Sequence, residues 1–209
     1  MTSRGPEAGM DKDDFRFETP RLAVRPYETG DLGGLQELKS LPETHRYNYT
    51  KVPSREDTEA FLARALAYDY RNPKVRVELA VLLKEERKLI GFIGLKGGDF
   101  RPDATAEIYY SIHASWFGMG LGTEAVAGML AFAFGTLGLH RVWAGAACGN
   151  AASWKIMEKM GMRRECHWMA DRPKPGKWVP GEGFEKTGEW EDGYGYAVLR
   201  EEFLSRGEP

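Results

Sequence analysis

Three glycines at alternate positions, directly before an amphipathic helix, constrain the fold of this chain more than any other feature. Residues 118–123 read Gly-Met-Gly-Leu-Gly-Thr, and apolar residues then recur at helical spacing from Val126 to Leu137. A strand-like segment, residues 106–112, precedes them. Because glycine has no Cβ, its backbone N–H can approach an anion closely, and a helix start adds unpaired N–H groups and a positive dipole end. The pattern predicts a strand, an anion-binding turn and a helix.

Two familiar phosphate loops do not fit this turn. A P-loop needs a lysine after its last glycine, and none follows Gly122. The dinucleotide fingerprint would place its third glycine at position 123, which is Thr123, and it should open an early βαβ unit. Antiparallel hairpins are predicted before the turn here. The turn alone leaves open a purely structural role with no ligand.

Composition excludes several classes of function. The chain has 209 residues, with 29 Lys+Arg against 31 Asp+Glu and a net charge of −2, which argues against a general nucleic-acid surface. No apolar run approaches the roughly 18 residues of a membrane span, and residues 1–14 are too polar for a secretory signal. Two cysteines without CxxC spacing, and no HExxH, predict no metal site. We expect a cytoplasmic protein that binds neither nucleic acid nor membrane.

The remaining patterns divide the chain into a tail and one domain. Residues 1–15 are predicted to be a disordered tail, and residues 16–209 a single domain. Ser54, followed by an acidic residue three positions later, predicts a helix start with a capping box, and Asp31 and Asn150 are predicted to cap two further helices. Apolar runs separated by Lys-Glu-Glu-Arg predict a hairpin over residues 77–95. Residues 170–193 hold five glycines and three prolines, and we expect a long loop there.

An ordered series of short motifs resembles the GNAT superfamily of acyl-CoA-dependent N-acyltransferases, in particular its RimJ/RimL-type branch. The resemblance covers roughly residues 17–203, and the order of the motifs is more specific than any one of them. The motifs are Glu-Thr-Pro-Arg-Leu at 18–22, Phe-Gly-Met-Gly-Leu-Gly-Thr-Glu-Ala at 117–125, Gly-Leu-His-Arg-Val at 138–142, Asn-Ala-Ala-Ser at 150–153, Glu-Lys-Met-Gly-Met at 158–162 and Trp-Glu-Asp at 190–192.

The resemblance implies an α+β fold, with a mixed, mostly antiparallel sheet of about seven strands flanked by about four helices. It implies acetyl-CoA as acyl donor and transfer to a primary amine, either a protein N-terminus or a small molecule. The glycine turn would bind the pyrophosphate, the strand before it would pair with pantetheine amides like an added strand, and Asn150 would hydrogen-bond the pantetheine arm. The implied donor-binding residues are Tyr110, Ile112, Phe117, Gly118, Met119, Gly120, Leu121, Gly122, Thr123, Asn150 and Ser153.

Two positions depart from the family pattern. Phe117 stands where a basic or amide residue is usual, so backbone N–H groups would carry more of the phosphate binding. Met157 stands where many members have a tyrosine that protonates the leaving thiolate. Ser153 then becomes the candidate proton donor, and its alternative is an ordinary first-turn helix serine. The same departures suggest a second hypothesis, a non-catalytic acyl-CoA-binding regulatory module.

Acyl transfer also needs a neutral amine, since an amine with a pKa near 10 is only about one part in a thousand neutral at pH 7. Glu107 begins the strand beside the expected thioester, where Glu107, Tyr109 and Ser111 alternate onto one face. We predict Glu107 as the general base, with a solvated strand-end glutamate as the alternative. Trp178 and Trp190 could line an acceptor wall or the interface of a homodimer.

Overall fold

The fold is an eight-stranded sheet with helices on both faces. The computed structural model describes residues 10–47, 51–70, 74–99, 104–180 and 182–206. The strands in these residues are β1 Phe17–Glu18, β2 Leu22–Arg25, β3 Lys74–Leu83, β4 Lys88–Asp99, β5 Thr105–Ile112, β6 Arg141–Ala147, β7 Arg163–Val179 and β8 Gly183–Leu199. The α-helices are α1 Leu32–Lys39, α2 Pro42–His45, α3 Arg55–Leu66, α4 Leu121–Ala131, α5 Ala151–Lys159 and α6 Arg200–Leu204.

The sheet opens between its two parallel strands. Its order is β1-β2-β3-β4-β5-β6-β8-β7, and every neighbouring pair is antiparallel except β5 and β6. Those two pair only where Thr105–Glu107 lie against residues 141–143. Beyond that point the strands diverge, so the later part of β5 lacks a strand partner on its β6 side. This opening is the feature of the fold that positions the site.

The two faces of the sheet carry separate apolar layers. Alternation along β3 and β4 sends Leu79 and Ile93 to the face covered by α4, where they pack with Met129. The opposite face meets α1 and α3, with Ala80 packed near Leu38. The predicted α+β fold with a mixed sheet is confirmed, with eight strands and six α-helices in the described part of the chain.

Helix boundaries follow the capping residues predicted from the sequence. Ser54 begins α3, where its Oγ accepts a hydrogen bond from Asp57 N–H and Asp57 Oδ2 accepts one from Ser54 N–H, at 3.1 and 2.9 Å. Asn150 caps α5, which ends just before the left-handed Gly161. The helix predicted through Leu137 ends its α-helical part at Ala131 and continues as a π-helical turn, Phe132–Thr136. In the described residues, no helix is both long and apolar enough to cross a membrane.

The predicted disordered tail, residues 1–15, includes residues that are ordered in the structure. Residues 12–15 form a 3₁₀ turn, and Phe15 is fully buried, with its ring packed against Tyr70 and Phe132. Removal of this aromatic side chain from water stabilises the ordered conformation. Residues 1–9 of the predicted tail lie outside the described residues.

The loop expected over residues 170–193 is instead most of a long hairpin formed by β7 and β8. Pro173 and Pro175 are compatible with a strand because β7 is the last strand of the sheet, and both lie at register shifts. The glycines at 193 and 195 leave room for the indole ring of Trp168, which a Cβ at either position would contact closely. Composition alone therefore misidentified an edge hairpin as a loop.

Candidate active site

A cavity of about 820 Å³ enters the sheet where β5 and β6 diverge. Its walls include Ile108–Tyr110 on one strand and Gly145–Ala147 on the other. Residues from α1, α3 and the segment between them close one side, while α5 closes the other. The cavity thus reaches both faces of the sheet through the opening.

The glycine turn lies at the start of α4 and has the conformation that its sequence predicts. Gly118 and Gly120 have φ values of +78° and +77°, the left-handed region that side chains disfavour, and Gly120 caps the helix. A Cβ at Gly118 would meet nothing within 4 Å, so this side of the turn is open. Gly122 differs, because a Cβ there would lie 3.2 Å from Ile156 Cδ1. Its lack of a side chain serves packing between α4 and α5.

Arg21 fixes the glycine turn from a distant part of the chain. Its Nη1 donates to the Met119 carbonyl at 2.9 Å, and its Nε pairs with Glu124 Oε2 in the first turn of α4 at 2.6 Å. Glu124 also accepts from Thr19 Oγ1 at 2.6 Å. Partial burial opposes ionisation of Glu124, but these hydrogen bonds prevail and lower its pKa. Arg21 is not among the site residues predicted from the sequence, although it lies within the motif at residues 18–22.

Ser153 lies in the cavity beside a tyrosine hydroxyl. Its Oγ is 3.1 Å from Tyr110 Oη, which also donates to the Ser153 carbonyl at 3.2 Å. Burial raises the pKa of Tyr110 to about 12, so both hydroxyls keep their protons at neutral pH. Asn150 Oδ1 accepts from Ser153 N–H at 3.3 Å and thereby orients the first turn of α5. Met157 lines the same cavity and has no proton to donate.

Glu107 reaches the cavity from the face of the sheet that meets α1 and α3. Register places Arg76, Lys96 and Glu107 in one row across β3, β4 and β5. Lys96 Nζ lies 3.0 Å from Glu107 Oε1, and the carboxylate is about four-fifths buried. The predicted alternation of Glu107 and Tyr109 on one face is confirmed by this register.

The structure gathers some of the predicted site residues and separates others. Glu107, Tyr110, Asn150 and Ser153 line one cavity, whereas the glycine turn lies outside its walls. Ile112 packs against the core beside α4. Phe117 and Met119 extend outward, with 57% and 56% of their surface exposed.

Aromatic side chains connect the hairpin to the cavity. Trp178 stacks on His45, a cavity residue, with ring centroids 6.1 Å apart, while Trp190 is 59% exposed. Tyr47, another cavity residue, donates from its hydroxyl to the Gly149 carbonyl at 3.0 Å. Trp178 therefore supports the cavity wall, and Trp190 faces outward. Among the described residues, no cluster of three or more His, Cys, Asp or Glu side chains is arranged to hold a metal ion.

Fold and site together define an α+β protein with a cavity at the opening in its mixed sheet. The family model for the acetyltransferase (GNAT) domain matches residues 21–163, and the chain belongs to this family. It is a GNAT-type N-acetyltransferase.

Three comparisons agree with this assignment. The chain is 29% identical over 189 residues to the uncharacterized N-acetyltransferase YnaD of Bacillus subtilis. The aligned residues cover 90% of this chain and 99% of that protein. A GNAT-family acetyltransferase structure from Bacillus anthracis is similar with a TM-score of 0.72 and 28% identity, covering 90% of this chain and 99% of the other. The spermidine N-acetyltransferase of Vibrio cholerae, solved with CoA and spermine, shares the fold with a TM-score of 0.71 at 19% identity, covering 89% and 99% of the two chains.

Proposed function

We propose that this protein transfers the acetyl group of acetyl-CoA to a primary amine by direct attack on the thioester. The observation that carries the proposal is the cavity between β5 and β6, where Glu107 and the Ser153–Tyr110 pair face one space. The two groups belong to opposite faces of the sheet, so a base and a proton donor flank the opening. The proposal places the protein in the RimJ/RimL-type branch and in the cytoplasm, and association of two copies stays a prediction.

The residues of the chain fit an acyl-CoA donor. The left-handed Gly118 leaves open space beside the start of α4, and a Cβ at Gly120 would lie 3.5 Å from Arg21 Nη2, so backbone N–H groups and a guanidinium are near a space that suits a pyrophosphate. Among the described strands, none pairs with residues 110–112 of β5 on the β6 side, so their backbone groups are available to an extended amide chain. When bound, the donor would supply a thioester carbonyl whose carbon is open to attack.

The chemistry assigned to the chain is one proton removal and one proton delivery. Glu107 accepts a proton from the ammonium form of the acceptor, directly or through water, so that the nitrogen lone pair can form the new bond to the carbonyl carbon. Backbone N–H groups of β5 stabilise the oxygen as negative charge develops. When the carbon–sulfur bond breaks, Ser153 Oγ delivers a proton to the departing thiolate and Tyr110 Oη replaces it. The nitrogen loses its second proton to water as the amide forms, and a proton from water restores Tyr110.

The purified protein with acetyl-CoA and a panel of primary amines tests this proposal. We expect free thiol to appear only when an amine is present, with an equal amount of acetylated amine detected by mass spectrometry. Tight binding of acetyl-CoA in calorimetry with no turnover across amines and peptides would instead support the non-catalytic binding module. An absence of acetyl-CoA binding would overturn both.

A further inference from the structure

The cavity is strongly cationic although the chain is not. Its walls carry six cationic side chains against two carboxylates, while the whole chain has a net charge of −2. The cations are Lys39, Lys51, Arg64, Arg76, Lys96 and Arg172. The carboxylates are Glu78 and Glu107. Arg172 also pairs with Asp171 at 3.2 Å, so a surplus of three positive charges is concentrated in one concave site, where walls of low dielectric strengthen their field.

Most of these cations lie away from the glycine turn. Lys39 is on α1 and Arg64 on α3, the two helices that cover one face of the sheet. Arg76 and Lys96 point to that same face. The glycine turn begins α4, which packs on the other face. These charges are thus placed for the acceptor rather than for the phosphates of the donor.

Part of this positive charge is uncompensated. In the described part of the chain, Lys39, Lys51 and Arg64 have no carboxylate oxygen within salt-bridge distance. Burial lowers the pKa of Lys39. The charge of Glu78 raises this pKa, and the charges of Arg76 and Arg64 lower it, so the three cations are close enough to repel one another. An anion that binds among them would be attracted by all three charges.

The two carboxylates are already engaged. Glu78 receives a hydrogen bond from Tyr27 at 3.1 Å and pairs with Arg76 at 2.8 Å. Glu107 pairs with Lys96 at 3.0 Å. Little negative charge is left for a polycationic acceptor, and a polyamine would meet net repulsion.

We infer that the acceptor is a small amine carrying a carboxylate or phosphate group, which the cations on α1, α3, β3 and β4 hold while the amine faces Glu107. The inference rests on the proposed function and names its substrate class. A cavity of about 820 Å³ has the size of a small-ligand site, and the stacking of Trp178 on His45 closes one wall. These features favour a small molecule over a peptide.

Matched acceptor pairs test the charge requirement. Tyrosine against tyramine adds one carboxylate, and phosphoethanolamine against ethanolamine adds one phosphate, so the two pairs distinguish the source of the anion. We expect kcat/KM to be at least about tenfold higher for an anionic member, since a charged hydrogen bond discriminates by that much. A preference for tyramine, ethanolamine or spermidine overturns the inference and leaves the proposed function standing. Acetylation of acidic peptides alone overturns the small-molecule assignment. Failure of every amine and peptide contradicts the proposed function itself.

Two arginines on the same helix provide a matched pair of variants. Both are exposed, but Arg64 lines the cavity, whereas Arg55 lies outside it and pairs with Glu59 at 2.9 Å. We expect Arg64→Gln to raise the KM of the anionic acceptor about tenfold while the KM for acetyl-CoA stays within about twofold. Arg55→Gln should change neither. Calorimetry of the anionic amine with the CoA-bound protein gives a readout independent of turnover, and an unchanged affinity in Arg64→Gln overturns the assignment. If Arg64→Gln does not fold, Lys39→Gln takes its place with the same expected result.

Discussion

At the scale of single residues, the pairing of Ser153 with Tyr110 places two hydroxyl groups in the cavity, where Met157 has no proton to donate. The two oxygens lie 3.1 Å apart, one on α5 and one on β5, so each hydroxyl can donate to the other. Burial raises the pKa of Tyr110 to about 12, so the Tyr110 hydroxyl is protonated at physiological pH. A phenol held in this way would act through the serine, which makes Tyr110 a positioning and relay residue.

This arrangement predicts unequal effects of two conservative substitutions. Ser153→Ala should lower kcat by about 100-fold, the lower range for loss of a general acid, with acetyl-CoA affinity within about twofold of wild type. Tyr110→Phe retains the serine hydroxyl and should lower kcat by about tenfold. Steady-state kinetics and calorimetry measure both effects. An unchanged kcat in Ser153→Ala would return Ser153 to a purely structural role in the first turn of α5.

Residue-level prediction from the sequence succeeded where a motif is local. Asn150 was predicted as a cap and caps α5, because a cap depends on the next three residues only. Arg21 was missed because its partner, the Met119 carbonyl, is 98 residues away. The contact between Tyr110 and Ser153 spans 43 residues and depends on how α5 packs against β5. The cationic lining was missed for the same reason, since its members come from separate elements.

At the scale of elements, the connection from β2 to α1 is held by a buried ion pair rather than by the helix cap expected at Asp31. Both Asp31 oxygens accept hydrogen bonds from Arg25, at 2.8 and 2.9 Å, and Oδ2 also accepts from Glu28 N–H at 2.7 Å. Only 6% of Asp31 is exposed. Its carboxylate therefore organises the turn before α1 instead of capping the helix N–H groups.

Breaking this pair on one side should be strongly destabilising. Arg25→Met leaves a buried carboxylate without its partner, and we expect the free energy of unfolding to fall by about 3–5 kcal/mol. The double variant Arg25→Met/Asp31→Leu should recover much of the loss. Arg55→Met, which breaks an exposed pair within α3, should cost less than about 1 kcal/mol. Urea unfolding measures all three, and equal losses for Arg25→Met and Arg55→Met would contradict the prediction.

A substitution that tests the glycine turn before α4 must be compatible with the left-handed backbone conformation of that turn. Valine at position 120 would strain a residue with φ of +77°, whereas asparagine tolerates this region. We expect Gly120→Asn to raise the Kd of acetyl-CoA by about tenfold, because the added side chain would occupy space that the pyrophosphate needs to reach the backbone N–H groups. Gly188→Asn is the control, since Gly188 has the same φ and lies on the hairpin. Calorimetry measures the Kd of acetyl-CoA for both variants. Equal affinities would show that the glycine turn is not part of the donor site.

At the scale of the whole molecule, buried tyrosines connect stability to alkaline pH. Burial raises the pKa of four of them, Tyr68, Tyr70, Tyr110 and Tyr196, from 10.0 to about 12. The unfolded chain therefore releases these protons first, so the contribution to stability is complete below pH 10 and is lost as pH rises toward 12. We expect the urea midpoint to fall steeply over this window and less steeply in Tyr110→Phe. A midpoint independent of pH between 10 and 12 would contradict these shifts.

The first hairpin, the caps and the glycine turn were predictable because they are local signals, and the resemblance to the family supplied the fold class. The enclosure of the cavity was not predictable. The hairpin of β7 and β8 contains the long segment misread as a loop, and its contact with α2 joins parts of the chain far apart in sequence. Register shifts near Pro173 and Pro175 interrupt the pairing of this hairpin, and no short-range pattern in the sequence reports where the hairpin ends. The enclosure of the cavity thus depends on contacts across the whole molecule.

Substitution of two tryptophans on this hairpin distinguishes a role in the cavity wall from a role in the stability of the hairpin. Trp178 stacks on His45, while Trp190 is 59% exposed. An aromatic contact is worth about 0.5–1.5 kcal/mol, so we expect Trp178→Ala to raise the acceptor KM by roughly three- to tenfold. The Kd of acetyl-CoA should stay unchanged because the glycine turn lies on another part of the molecule. Trp190→Ala should leave both constants unaltered. Equal increases in the acceptor KM for the two variants would mean that the hairpin acts through its overall stability, and that the stacking of Trp178 on His45 does not shape the acceptor site.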